Sequence, residues 1–183
     1  ASAGLTRMSE EEAPTDDELV GACLSGDRQA FDQLVIPHQR QVYLLCYRFA
    51  GNHEDASELG QDVFVRAYRG LATFKGQAAF TTWLYRIGVN QCLNRVAKRT
   101  MRLERLDEAQ AEHTQGESAD GSLLREERAA RVRRAIAQLP AKQRATLILR
   151  AYHDLPHEEI ARALGGSVGA AKTNLHHALK RLR

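Results

Sequence analysis

Near the end of the chain, Lys172, Thr173, Asn174, His176, His177 and Lys180 recur on one side of a helical repeat. Lysine offers phosphates a point charge, and asparagine can pair with a base edge through both amide atoms. Histidine can serve either purpose, and its charge changes near pH 6.5. Between them Val168, Ala171, Leu175, Ala178, Leu179 and Leu182 keep a 3.6-residue apolar rhythm. One face is therefore written for a core and the other for nucleic acid. Ser167 is placed to cap the helix start, where outward-pointing amides suit a phosphate. Upstream, Ile160, Ala161 and Leu164 mark a shorter helix stopped at Gly165-Gly166, because glycine accepts the left-handed conformation of a helix end. Helix, tight turn and helix with a polar second face form the helix-turn-helix pattern. The same spacing also suits a plain helical hairpin whose polar face is only solvated.

Charge separates this end from the rest. The whole chain carries +3. Residues 125–183 hold thirteen Lys/Arg against five Asp/Glu, residues 1–100 eleven against twelve, and residues 101–124 two against six. A basic C-terminal module thus follows an acidic stretch and a near-neutral first half, as a module for a polyanion would. A hydrophobic fraction of 43% with 27% charged residues is ordinary for a globular protein, so composition excludes the disordered and fibrous classes. No apolar run approaches the ~20 residues of a membrane span, and no signal peptide is visible. Met8 reads as a natural start, with residues 1–7 an addition ahead of it. Cys23, Cys46 and Cys92 are odd in number and lack CxxC pairing, which points to buried reduced thiols and a cytoplasmic protein. The seven histidines show no metal-ligand spacing, so neither metal nor cofactor is expected.

The elements that position these residues are helical, and the chain reads as all-α. Asp16 or Asp17 can cap a first helix bearing Leu19, Val20, Cys23 and Leu24, and Asp27 a second with Ala30, Phe31, Leu34 and Val35. Pro37 lacks the N–H a helix interior needs, so a kink or break belongs there. The pattern resumes through Val42, Leu45, Cys46 and Phe49 to Gly51, and Asn52 opens a third helix carrying Ala56, Leu59, Val63, Phe64, Ala67 and Tyr68. Residues 71–79 have no period and read as a loop. Thr81 or Thr82 starts a long helix with Trp83, Leu84, Ile87, Leu93 and Val96 inward. The spacing of Trp83 favours a core position over a stacking platform. The expected organisation is a flexible tail (1–15), a helical domain (16–99), a flexible polar linker (100–123) and a second small helical domain (124–183) containing the helix-turn-helix. In the second domain Leu124, Val132 and Ile136 line one helix, Leu139-Pro140 ends it, and Ala145, Leu147, Ile148 and Ala151 line the next.

Three segments, in order, carry a family resemblance. They are Ala56-Ser57-Glu58-Leu59-Gly60-Gln61-Asp62-Val63-Phe64-Val65-Arg66-Ala67-Tyr68, then Phe80-Thr81-Thr82-Trp83-Leu84-Tyr85-Arg86-Ile87-Gly88-Val89-Asn90, then Leu139-Pro140 with Glu158-Glu159-Ile160-Ala161 and Ser167-Val168-Gly169. Across residues 16–99 and 125–183 the chain resembles the extracytoplasmic-function (ECF) sigma factors of bacterial RNA polymerase. The resemblance implies a subunit that directs polymerase core to particular promoters in the cytoplasm, as in stress responses, and nucleates melting of the −10 element. It implies polymerase binding by the polar stripe Glu58, Gln61, Asp62 and Arg66. It implies −10 contacts from Phe74, Lys75, Gly76, Gln77, Arg86, Asn90, Arg95, Lys98 and Arg99, with extruded bases housed by the loop and phosphates held downstream. It implies −35 contacts from Ser167, Lys172, Asn174, His176 and His177, and an anti-sigma factor as a further partner.

Departures from the family pattern fall in the reading residues. Asn174 and His177 stand where arginines are usual, and Asn favours adenine where Arg favours guanine, which points to an atypical −35 sequence. Asn94 and Ala97 stand where Asp and Arg are common. A stand-alone helix-turn-helix regulator is the alternative, and it would have no need of the 56–68 stripe. An enzyme is disfavoured, because clustered carboxylates, a nucleophile elbow and a phosphate-binding glycine loop are all missing from the sequence.

Overall fold

Capping chemistry sets the helix boundaries in the computed structural model, which describes residues 13–106 and 123–183. Helix α1 (Asp16–Leu24) is capped by Thr15, not by the aspartates that follow it. The Thr15 side chain accepts from the Glu18 amide while Glu18 accepts from Thr15, a reciprocal box that satisfies two otherwise orphan donors. Asp27 caps α2 (Arg28–Ala50) and Asn52 caps α3 (His53–Gly70), with Gly51 between them at φ +81°. A short 3₁₀ turn (Leu71–Thr73) follows, and Leu71 is buried, so the expected loop keeps one anchor in the core.

Pro37 does not break α2, which runs through it for 23 residues. Pro37 and Gln33, four residues before it, are both exposed, so the carbonyl left without a helical donor can turn to water. Leu34, Val42, Leu45, Cys46 and Phe49 are buried around the proline and hold the helix together. Helix α4 (Phe80–Leu106) starts one residue before the expected threonines and continues seven beyond residue 99. The expected linker therefore begins inside a helix. Its stretch 107–122, like residues 1–12 of the expected tail and the side chain of Leu124, lies outside the described residues.

Helices α1 to α4 form the first bundle, with α2 packed on α1, α3 and α4. The second half comprises α5 (Leu123–Ala137), α6 (Ala141–His153), α7 (His157–Leu164) and α8 (Val168–Arg181), with α6, α7 and α8 mutually packed. Gly165 at φ +63° makes the turn into α8, and Ser167 caps it through the Ala170 amide. The halves touch: α4 lies on α7 and α2 on α6. Periodicity overcounted the core at its edges. Val132, Tyr68 and Leu179 are about half exposed and Ala151 is exposed, because a regular apolar rhythm runs on past the last residue that meets a partner.

Gly88 sets how closely α4 approaches α2. A Cβ built there would sit 2.7 Å from a Leu45 methyl, and Leu45 is completely buried. Alanine would otherwise favour the helix by ~1 kcal/mol. Gly88→Ala is nevertheless expected to destabilise the chain by about 1–3 kcal/mol through overpacking. The urea unfolding midpoint measures it, and an unchanged or raised midpoint would show that Leu45 has room to yield.

Candidate nucleic-acid interface

A groove of about 760 Å³ opens where α3, the loop after it and α4 converge. Arg66 enters from α3; Phe74, Lys75 and Gln77 come from the loop; Trp83, Arg86 and Asn90 come from α4. Lys75, Gln77, Arg86 and Asn90 are exposed, which leaves their polar ends available to a ligand. Phe74 is half-buried, its ring 5.7 Å from Phe80 and 5.4 Å from Trp83, so it anchors the loop against α4. Trp83 is likewise half-buried and packed on the core, as its spacing predicts, yet one side lines the groove. Gly76, at φ +65°, lets the loop reverse between Lys75 and Gln77. An aromatic floor, three cations and two amides are what a flipped base with its phosphates requires.

Arg95, Lys98 and Arg99 lie apart from this group, around a second cavity further along α4. Arg95 donates to Glu58 at 2.8 Å and to Asp55 at 3.3 Å, tying α4 to α3. The hydrogen bond from Arg95 holds the Glu58 carboxyl below its usual range, and Glu58 raises the Arg95 guanidinium in return. The α3 stripe is thus divided. Gln61 and Asp62 are exposed, Glu58 is exposed but bridged, and Arg66 turns to the groove. On α8, Lys172, His176 and His177 stand exposed, Asn174 is partly buried, and Ser167 uses its hydroxyl as the cap.

This arrangement has known counterparts. The Sigma-70 region 2 family matches residues 34–102, and the Sigma-70 region 4 family matches residues 129–182. RNA polymerase sigma-H factor of Pseudomonas aeruginosa is 36% identical over 172 residues, covering 89% of each chain. ECF RNA polymerase sigma-E factor of Escherichia coli is 34% identical over 173 residues, covering 90% of each. The chain is an ECF sigma factor. It belongs to a family of transcription initiation factors, and the stand-alone regulator is not favoured, since region 2 is matched as well as region 4. Among solved structures, that of CnrH in complex with the cytosolic domain of CnrY superposes with a TM-score of 0.67 at 26% identity, over 91% of this chain and 94% of that one. No helix among the described residues is long and apolar enough to cross a membrane.

In this sigma factor the two regions meet through pairs of residues that the sequence did not bring together. Thr82 donates to Glu159, and Tyr85 hydrogen-bonds His153 at 3.0 Å. The Arg48 guanidinium lies 3.9 Å from the centre of the Tyr152 ring, and Arg144 donates to the Phe49 carbonyl at 2.6 Å. Arg162 of α7 reaches the rim of the groove that α3, the loop and α4 build. Each pair is more than sixty residues apart in sequence, so no local spacing reveals it. The one available signal was Arg144 itself, a cation set directly before the largely apolar segment Ala145-Thr146-Leu147-Ile148-Leu149.

His153 makes the seam sensitive to acid. Burial, with the neighbouring Arg48, pushes its pKa down to about 4 against a partial opposing pull from Asp154. The ring must be neutral to sit there, so its support is complete above its ordinary pKa of about 6.5 and is lost progressively as pH falls towards 4. Thermal unfolding of the parent chain and His153→Gln at pH 7 and pH 5 should show the larger acid loss in the parent. Equal losses would remove His153 from the account.

Proposed function

We propose that region 2 and region 4 divide promoter recognition in the way their exposed groups suggest. The groove at the start of α4 takes an extruded −10 base, with Phe74 and Trp83 as its apolar wall. Lys75, Gln77, Arg86 and Asn90 supply its hydrogen bonds, and Gly76 allows close backbone approach. The convergence of these side chains from a loop and a helix into one groove carries the reading. Unstacking a base costs a few kcal/mol, and a lined groove returns that energy through stacking and charge. Lys98 and Arg99 follow the strand's phosphates, whereas Arg95 chiefly fixes α4 to α3.

Helix α8 enters the major groove at −35, with Lys172, His176 and His177 facing it, Asn174 at its edge and Ser167 at its start. The exposed part of the α3 stripe, Gln61 and Asp62 with Glu58 and Arg66 beside them, docks on polymerase core. Because Arg162 and Glu159 of α7 lie over the start of α4, promoter engagement requires the two regions to separate. The protein works in the cytoplasm, performs no covalent reaction of its own and is held in check by an anti-sigma factor. The similarity to CnrH, whose structure was solved in complex with the cytosolic domain of CnrY, supports a further protein partner.

In vitro transcription with core polymerase and a randomised promoter library tests the whole reading. Enrichment of paired −10 and −35 sequences is expected, and transcripts no different from core alone would sink it. Gln61→Ala with Asp62→Arg should abolish co-purification with core while leaving the helical signal unchanged, since both side chains are exposed. Undiminished co-purification would remove α3 from the interface. On −35 duplexes, Lys172→Ala should weaken all sequences alike, whereas Asn174→Ala should relax preference at one base pair by about 1–3 kcal/mol. A uniform effect of Asn174→Ala would make α8 a phosphate clamp.

A further inference from the structure

A second cavity, of about 570 Å³, lies at the seam between the two regions. Arg95, Lys98, Arg99 and Arg102 reach it from the later turns of α4, and Arg144 reaches it from α6. Asp55 is the one carboxylate among the described lining residues, and it already engages Arg95 and, at 3.9 Å, Arg99. Lys98, Arg102 and Arg144 have no ion-pair partner among the described residues. Arg144 is the most unusual of them. It is only 6% exposed, donates one terminal nitrogen to the Phe49 carbonyl, and its Nε is buried with no hydrogen-bond partner. A guanidinium keeps its charge under such conditions, so the inner wall of the cavity carries a cation with no counter-charge among the described residues.

We propose that this cavity is an oligophosphate site, taking a ligand with two or more adjacent phosphates, free or carried on a nucleoside, between Lys98, Arg99, Arg102 and Arg144. Guanidinium forks match phosphate oxygens in pairs, and Lys98 adds a point charge. Lys98 and Arg102 are one helical turn apart, about 6 Å along the axis, a spacing that two adjacent phosphates can span. The volume falls within the roughly 300–1,000 Å³ of small-molecule sites. Phe49, Leu59 and Val96 add apolar wall, which a base or ribose would cover. Such a ligand touches α4 and α6 together, so it binds the closed arrangement better than the separated one and shifts the population towards it. That consequence for promoter binding rests on the reading of α4 given above, whereas the site itself does not.

Calorimetric titration of the full chain with sodium tripolyphosphate tests the site, with sulfate at matched ionic strength as the reference. The parent chain should bind tripolyphosphate at least about tenfold more tightly than sulfate. Arg144→Met and the pair Arg99→Ala with Arg102→Ala should each weaken binding about tenfold, and Lys172→Ala should leave it unchanged. Arg99 and Arg102 are exposed, so their double variant keeps the test decisive even if Arg144→Met fails to fold. Titration with GTP separates the sources: tighter binding than tripolyphosphate assigns the site to a nucleotide, and weaker binding assigns it to an inorganic chain. Unchanged affinity in the double variant, or no preference over sulfate, would overturn the proposal. The closing experiment reads binding and not transcription, so its failure is distinct from failure of the promoter-recognition reading.

Discussion

Helix α4 must be packed by both regions at once, and the rest of the molecule follows from how that demand is met. Leu84, Val89 and Cys92 are almost wholly buried in the core. Gly88 lets α2 come close enough to seal them. Its first turns also carry Thr82, Tyr85 and Arg86, and there region 4 lies against the helix through Glu159 and His153. Those turns also border the groove proposed for the −10 base. One helix therefore serves as core, as interdomain contact and as groove wall.

The seam adds polar contacts to an apolar cluster that runs through both regions, and those polar contacts set its character. They are a hydroxyl on a carboxylate, a phenol on an imidazole, a guanidinium on a ring and another on a backbone carbonyl. Interfaces of this kind between domains hold a preferred arrangement while leaving separation within reach. A buried arginine without a carboxylate adds to that balance, because its desolvation is only partly offset by one carbonyl and a ring face 5.1 Å away. The apolar burial itself runs from Leu19 to Cys92 in region 2 and on through Ile136 to Ala178 in region 4.

Much of the fold was legible because its signals are local. Asp27, Asn52 and Ser167 cap the helices they were expected to cap, and Gly51 and Gly165 end theirs in left-handed conformations. Thr15 was missed because three acidic residues crowd the same turn and any of several could have capped it. Of the kink or break expected at Pro37 the break did not occur, because the cost of a proline depends on whether its orphaned carbonyl can reach water, which is a matter of tertiary placement. The groove was partly legible: the loop residues and Arg86 and Asn90 converge, but Arg95, Lys98 and Arg99 are carried past it by the length of α4. The pairing of Arg95 with Glu58 divides two faces that the spacing alone had kept whole.

The account depends on region 4 lying over region 2 in the free protein and leaving it on engagement. Single-molecule energy transfer between dyes on exposed positions of α2 and α8 measures that directly, before and after addition of core polymerase and promoter DNA. The account predicts one high-transfer population for the free chain, replaced by a low-transfer population in the complex. A free chain already in the low-transfer state, or transfer unchanged by polymerase and promoter, would contradict it.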